Sequence, residues 1–141
     1  MTVYGFAAGS APAPSTPERY EPGVCNIGPA EVAYRRMWGH LGLLVTLLTL
    51  AALLWFDAPP AARFLVALPA WGTAVAYFQA LFKFCVAFAS LGVFNFGGLG
   101  TTERVVDAAA RRRDRARALQ VISTGLLAGI VVGAVAVLLP V

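Results

Sequence analysis

The chain is poor in charge, in cysteine and in histidine. Of its 141 residues, 13% are charged, two are cysteines and one is a histidine. About a quarter of the residues in an average soluble domain are charged, so this composition argues against a soluble globular protein. It also argues against disorder, which needs high charge and low hydrophobicity. Two cysteines exclude a disulfide-dense scaffold and a four-cysteine zinc site within one chain.

Apolar residues are abundant instead, at 59% of the chain, with a mean hydropathy of +0.73. They are concentrated in three stretches: residues 38–56, 64–82 and 119–141. A bilayer core of about 30 Å is crossed by about 20 apolar helical residues. These stretches are apolar on all sides, unlike the one-sided helices of soluble proteins. The sequence therefore predicts an all-α integral membrane protein with three transmembrane helices.

The segments between the spans divide the chain into three parts. Residues 1–27, rich in proline, predict a flexible cytoplasmic tail without a signal peptide. Residues 28–100 form a transmembrane helical hairpin with cytoplasmic extensions. Residues 101–141 predict a basic amphipathic helix, capped by Thr101 or Thr102 with Glu103 in its first turn, that runs into the third span.

A fourth apolar run, residues 84–96, is too short to span a bilayer. We expect it to continue the second helix to about Leu91, with Gly92 as its end and Asn95 opening a glycine-rich turn. An interfacial helix and a re-entrant segment are the alternatives.

Basic residues are distributed unevenly around the spans. Ten of the eleven precede the first span or lie between the second and third, and Arg63 alone lies between the first two. The positive-inside rule therefore places the N-terminus and the 83–118 loop in the cytoplasm and the C-terminus outside a bacterial-type inner membrane. Because the membrane explains the basic residues, we expect no nucleic-acid partner.

Five arginines cluster before the third span: Arg111, Arg112, Arg113, Arg115 and Arg117. We expect them to face the anionic inner leaflet and to fix the topology, with docking of a partner as the alternative. Asp107 precedes Arg111 by four residues, a favourable pairing on a helix.

Small residues recur every four positions in two spans. The third span has Gly125, Gly129 and Gly133, and the second has Gly72, Ala76 and Ala80. Such faces let two helix backbones approach closely. The two faces can pack on each other within one chain, or the third helix can pair with a second copy or with another membrane subunit.

The two cysteines are the first candidates for chemistry. Gly28 and Pro29 predict a helix start, with Glu31 in the first turn, so Cys25 lies beside a positive helix end, which favours a thiolate. A short connection makes the first two helices antiparallel neighbours, so Cys25 and Cys85 lie at the same end of the hairpin. Two thiols suit a soft metal such as Cu(I) or a persulfide relay; alternatively Cys85 is a small buried hydrophobe and Cys25 is incidental.

His40 is flanked by Gly39 and Gly42 near the inner membrane interface. The glycines can clear space for a flat macrocycle, so His40 is a candidate ligand for a haem or a pigment, or else it hydrogen-bonds a neighbouring helix. No nucleophile–base pair, phosphate loop or zinc-protease motif is present. We therefore expect no conventional enzyme, and the cofactor is open.

Residues 25–96 resemble the YgaP-like inner-membrane family of transmembrane hairpins, which occur alone or fused to rhodanese. The residues that carry the resemblance are Asn26, Gly28, Glu31, Arg35 and Arg36, and then Phe84, Cys85, Leu91, Gly92 and Asn95. The family commonly has proline after this cysteine, where this chain has Val86. The resemblance implies a homo-oligomerising hairpin linked to sulfur species, but no sulfurtransferase site, because no rhodanese domain is present.

Two functions follow from the sequence. The first is a non-catalytic accessory or scaffold subunit that contacts the lipid bilayer and other membrane subunits, or a second copy of itself. The second is handling or transport of sulfur species or a soft metal through Cys25 and Cys85. Haem or pigment ligation by His40 is a further alternative.

Overall fold

The computed structural model describes residues 19–141, which are mostly helical. Three helical segments are long and apolar enough to cross a membrane, as the sequence predicts: Pro29–Trp55, Pro60–Phe82 and Ala108–Leu138. In chain order the elements are α1 (Pro29–Trp55), the short α2 (Pro60–Arg63), one 3-10 turn (Phe64–Val66), α3 (Ala67–Phe82), α4 (Val86–Leu91), β1 (Val93–Phe94), β2 (Glu103–Arg104) and α5 (Ala108–Leu138).

The three long helices lie in an open row with α3 in the middle. α3 packs against α1 on one side and α5 on the other, whereas α1 and α5 hardly touch each other. Between them, over α3, lies an apolar space of about 430 Å³ whose lining includes Thr46 and Thr73. Only 11% of the residues in the most apolar stretch of α1 are buried, so most of its surface faces outward.

The glycines of α5 allow it to approach α3 closely. A Cβ atom built at Gly125 would lie 2.5 Å from Val75 Cγ2, and one at Gly129 would lie 2.8 Å from the Ala67 carbonyl oxygen. A Cβ atom at Gly133 would lie 2.9 Å from Ala67 Cβ. The repeat on α5 is therefore occupied within the chain, as in the first of the two alternatives above.

The small residues of α3 do not all take part in these contacts. Ala76 and Ala80 are buried, but a Cβ atom at Gly72 would meet nothing within 4 Å. Gly72 is exposed beside Leu65 and Leu68, which are 56% and 63% exposed. We call these three residues, of which Leu65 belongs to the 3-10 turn before α3, the open face of α3.

The expected continuation of the second helix to Leu91 is wrong. α3 ends because Lys83 adopts the left-handed conformation (φ 55°), and α4 is a separate helix. The backbone N–H groups of Cys85 and Val86 donate to side chains, Asn26 Oδ1 at 2.6 Å and Gln79 Oε1 at 2.8 Å, instead of to helix carbonyls. Gly92 ends α4 with φ 74°, as predicted.

α5 begins at Ala108, not at Thr101 or Thr102. Residues 103–104 pair as β2 with β1 in an antiparallel ladder, and Asp107 caps α5 by accepting from the Ala110 N–H at 3.1 Å. Arg111 donates to the carbonyl oxygens of Val105 and Val106 rather than pairing with Asp107. Once started, α5 runs without a break into its apolar part, as predicted.

Residues 19–27 are packed against the helices rather than forming a loose tail; residues 1–18 lie outside the described part of the chain. The Tyr20 hydroxyl donates to Asp114 Oδ2 at 2.7 Å, and the Gly23 N–H donates to Asp114 Oδ1 at 2.8 Å. Burial and the hydrogen bond to Asp114 raise the pKa of Tyr20 above its usual range. Fully buried Asp114 thus fastens the segment before α1 to α5.

Basic side chains are concentrated at one end of the helix row. The side of the row where α1 and α5 start and α3 finishes is called the basic end. Ten of the eleven basic residues belong to it. At the other end, buried Arg63 donates to the carbonyl oxygens of Leu139 and Val141 at 3.0 and 2.6 Å. The single cation of that end therefore satisfies carbonyls beyond the last turn of α5.

Replacing Gly129 by leucine should destabilise the chain itself. The new side chain would collide with the backbone of α3 at Ala67, and overpacking of this kind costs about 1–3 kcal/mol. The measurement is the unfolding midpoint of the purified protein in detergent. Gly72→Leu is the matched control and should not lower the midpoint, because its Cβ meets open space. Equal midpoints for Gly129→Leu and the parent would contradict the packing.

Candidate functional site

A side-chain amide holds the chain together at the basic end. Asn26 Nδ2 donates to the Cys85 carbonyl oxygen at 3.1 Å, and Asn26 Oδ1 accepts from the Cys85 N–H at 2.6 Å. Asn26 has no exposed surface and Cys85 is 1% exposed. This pair of hydrogen bonds brings the segment that carries Cys25 next to Cys85, as the sequence predicts for the two cysteines.

Arg35 connects the sulfur of Cys85 to a carboxylate. Its Nη2 lies 2.8 Å from Cys85 Sγ, and its Nη1 lies 3.1 Å from Glu31 Oε1. The spacing of four residues on α1 puts Arg35 one turn beyond Glu31 on the same side of the helix. Glu31 is 3% exposed, so its charge is buried together with that of its partner, as a buried carboxylate requires.

Asn95 completes the cluster from the loop after β1. Its Nδ2 donates to Glu31 Oε2 at 2.9 Å, and its Oδ1 accepts from the Gly97 N–H and the Thr101 hydroxyl at 2.8 and 2.7 Å. Its backbone accepts from the Gly28 N–H at 2.8 Å. The glycine-rich turn predicted after Asn95 is thus folded around the Asn95 side chain.

Cys25 lies beside a cavity. The cavity has a volume of about 240 Å³, and its lining includes Cys25, Pro29 and Val32 as well as two cationic residues, Arg36 and Lys83. Cys25 is 7% exposed, and its Sγ lies 3.7 Å from the Ile27 carbonyl oxygen. Cys25 therefore borders a space able to hold a small molecule.

The surroundings of the cysteines bear on metal binding. Within residues 19–141, no group of three or more histidine, cysteine, aspartate and glutamate side chains is arranged to hold a metal ion. The guanidinium of Arg35 contacts Cys85 Sγ, and a cation at that sulfur opposes binding of a second one. The geometry at Cys85 therefore disfavours the soft-metal interpretation more than the sulfur-species interpretation.

His40 is exposed on α1 and pairs with α3. Its Nδ1 lies 2.7 Å from the Tyr77 hydroxyl. Side chains of α3 occupy the space beside both neighbouring glycines. A Cβ atom at Gly39 would lie 2.7 Å from the Tyr77 ring, and one at Gly42 would lie 2.5 Å from Thr73 Oγ1. The glycines therefore make room for α3 rather than for a macrocycle. Ligation of a haem or pigment by His40 stays a prediction, but Gly39 and Gly42 do not support it.

The five clustered arginines have different surroundings. Arg112, Arg113 and Arg115 are exposed, as expected for side chains that face lipid headgroups or solvent. Arg117 turns inward, with its guanidinium carbon 4.8 Å from the centre of the Phe82 ring, and Arg111 caps loop carbonyls. Two of the five therefore stabilise the basic end itself.

Sequence reasoning treated Asn26, Glu31, Arg35 and Asn95 as parts of a resemblance and a helix start, and missed that they form one buried cluster with Cys85. It also missed the cavity lined by Arg36 and Lys83. The available signal was the presence of amide and charged residues close to apolar spans, in a chain with only 13% charged residues.

No family model, curated protein or solved structure matches the chain. The resemblance to the YgaP-like hairpins therefore stays a prediction. Its motif is nevertheless spatially coherent, because Asn26, Glu31, Arg35, Cys85 and Asn95 contact one another through hydrogen bonds or an ion pair.

Replacing Asn26 by alanine should expose Cys85 to small thiol reagents. The change leaves the buried N–H of Cys85 without a partner, at about 1–3 kcal/mol, whereas the Cys85 carbonyl oxygen keeps the hydrogen bond from the Ala89 N–H at 3.1 Å. The measurement is the rate of N-ethylmaleimide labelling of Cys85 in a Cys25→Ser background. Ser90→Ala is the control, because it removes an exposed hydroxyl from the adjacent α4 and should not alter the rate. If the parent is already labelled as fast as the unfolded chain, Cys85 is not protected by this cluster.

Proposed function

We propose that this chain is a non-catalytic, multi-pass membrane subunit that positions other membrane components through the outward faces of its helix row. In this proposal α1, the α2–α3 unit and α5 cross the membrane, and another protein helix packs on the row. The partner is another membrane subunit or a second copy of the chain.

The open face of α3 is the observation that carries this proposal. Glycine within a helix is less favourable than alanine by about 1 kcal/mol, so an exposed helical glycine has a cost without an intrachain benefit. Gly72 makes no contact that requires its small size, unlike the three glycines of α5. In membrane helices, a small residue on an outward face allows the close approach of a neighbouring helix.

The basic end supports a cytoplasmic placement of residues 19–28 and 83–118. Ten of the eleven basic residues belong to that end, and Arg63 at the other end is buried against carbonyl oxygens. An excess of lysine and arginine near span ends is typical of the cytoplasmic side. The proposed topology therefore has the start of α1 inside and the end of α5 outside, in a bacterial-type inner membrane.

Gly72→Leu should weaken assembly without weakening the fold. The side chain enters open space on the chain itself but fills the place of a partner helix, so association should weaken about tenfold, the size of a typical overpacking cost. The measurement is the mass of the assembly after gentle extraction from its own membranes, by native mass spectrometry.

Gly98→Leu is the matched control, because its Cβ also meets open space but lies in the loop at the basic end. An assembly of unchanged mass and stability in Gly72→Leu, or equal weakening in the two variants, would count against docking at the open face of α3.

A second candidate function is the handling of sulfur species, and the cavity beside Cys25 favours it. A thiol that borders a space lined by Arg36 and Lys83 can receive a small anionic sulfur compound. Cys85 would then act as a supporting residue, since its sulfur is enclosed and contacts Arg35.

Cys25→Ser separates the two candidates. Under the thiol hypothesis, extra sulfur mass on the native protein is lost in Cys25→Ser and retained in Cys85→Ser. Under the subunit hypothesis, both variants retain the mass and composition of the native assembly. A wild-type protein that carries no extra sulfur after extraction from its own membranes would leave only the subunit hypothesis standing.

A further inference from the structure

Two neighbouring spaces lie between α1 and the end of α3 at the basic end, and we call them together the groove. It consists of the cavity beside Cys25, about 240 Å³, and an adjoining space of about 480 Å³. The two spaces share Val32, Arg36 and Lys83 in their linings. Arg36 and Lys83 therefore line both spaces.

The charge of this groove is unbalanced. No aspartate or glutamate belongs to the lining of either space. Within residues 19–141, the one ion pair within 4 Å joins Arg35 to Glu31, so no carboxylate neutralises Arg36 or Lys83 at that distance. Two cations that share a concave surface attract an anion.

Lys83 occupies a position that favours a different residue. It follows the last turn of α3 in the left-handed conformation, where glycine is the usual choice and a residue with a Cβ is strained. Glycine would serve the backbone better, so the presence of lysine indicates a use for the side chain.

The larger space becomes apolar away from the two cations. Besides the shared residues, its lining comprises Phe78, Ala80 and Leu81 of α3 and the His40–Tyr77 pair. His40 lies four residues after Arg36, about one helical turn farther from the basic end. The larger space thus has the two cations on the side of the basic end and a mostly apolar wall towards the middle of the row, a pattern that suits an anionic amphiphile.

We propose that this groove binds an anionic phospholipid. The phosphate is held by Arg36 and Lys83, and one acyl chain lies along Val32, Phe78 and Leu81. A basic pocket between helices on the cytoplasmic side is a suitable site for such a headgroup. The inference rests on the membrane placement proposed above, and it goes beyond that proposal by naming a ligand and its site.

The test is native mass spectrometry of the full chain in detergent, titrated with phosphatidylglycerol or with phosphatidylcholine of the same acyl chains. The variant is Arg36→Gln with Lys83→Asn, since asparagine tolerates the left-handed conformation. Arg19→Gln with Arg104→Gln is the control, because it removes the same charge from exposed positions that belong neither to the groove nor to the arginine cluster of α5. We expect binding of the first phosphatidylglycerol to weaken about tenfold in the groove variant and less than about twofold in the control. The single variant Arg36→Gln, which leaves the backbone at Lys83 untouched, should show a smaller loss in the same direction.

Equal losses in the two double variants would overturn the site, and so would equal affinity of the parent for both lipids. Leu81→Ser should also weaken lipid binding, whereas Leu127→Ser, at a comparably exposed leucine of α5, should not. Displacement of phosphatidylglycerol by millimolar inorganic phosphate, with no effect of Leu81→Ser, would assign the two cations to a small soluble anion instead.

Alkaline carbonate extraction of native membranes separates this inference from the proposed function. A chain that is released by alkali is not an integral membrane protein, and both proposals then fail. A chain that stays in the membrane but shows no preference for phosphatidylglycerol overturns the lipid site alone.

Discussion

The buried backbone N–H of Cys85 donates to a side chain, the amide oxygen of Asn26, and the amide nitrogen of Asn26 donates back to the Cys85 carbonyl oxygen. A buried backbone group that lacks a partner costs about 1–3 kcal/mol, so the amide stabilises the chain where it leaves the helix. The backbone of Asn26 accepts in turn from the Asn95 N–H at 3.0 Å. Three segments that are distant in sequence therefore meet at one residue, and the end of α3, the start of α4 and the glycine-rich loop all depend on it.

At the basic end, the neighbouring residues Arg35 and Arg36 of α1 have different surroundings. Arg35 is directed to Glu31 and Cys85 and is balanced within the cluster, whereas the next residue, Arg36, lines the cavity beside Cys25. Successive residues on a helix point about 100° apart, which follows from 3.6 residues per turn. One arginine thus serves the stability of the fold, while its neighbour remains available to a ligand. This division explains how a chain with so few charges carries both a buried polar cluster and an attractive surface for anions.

The long helices could be predicted from the sequence because each depends on a local property, an apolar run of sufficient length. The helix start at Gly28 and Pro29 and the helix end at Gly92 were equally local. The end of α3 was not, since neither glycine nor proline stands at Lys83 and the cause, Asn26, lies 59 residues from its partner Cys85. The start of α5 was misplaced because threonine and aspartate are comparable caps, and pairing of β1 with β2 decided between them. The proximity of the cysteines followed from topology, but the contacts of Arg35 and Asn95 depend on side-chain directions that spacing alone does not give.

Asp114 determines when one set of contacts in the fold can form. Its carboxylate receives Tyr20 and the Gly23 N–H across 94 and 91 residues of chain. During synthesis the residues of the hairpin and of the Asn26–Cys85 contact leave the ribosome before Asp114 does. The hydrogen bonds from Tyr20 and Gly23 can therefore form only after the start of α5 has been synthesised. These two hydrogen bonds join residues 20–23 to α5. A nascent chain truncated before Asp114 would keep the hairpin but would lack them.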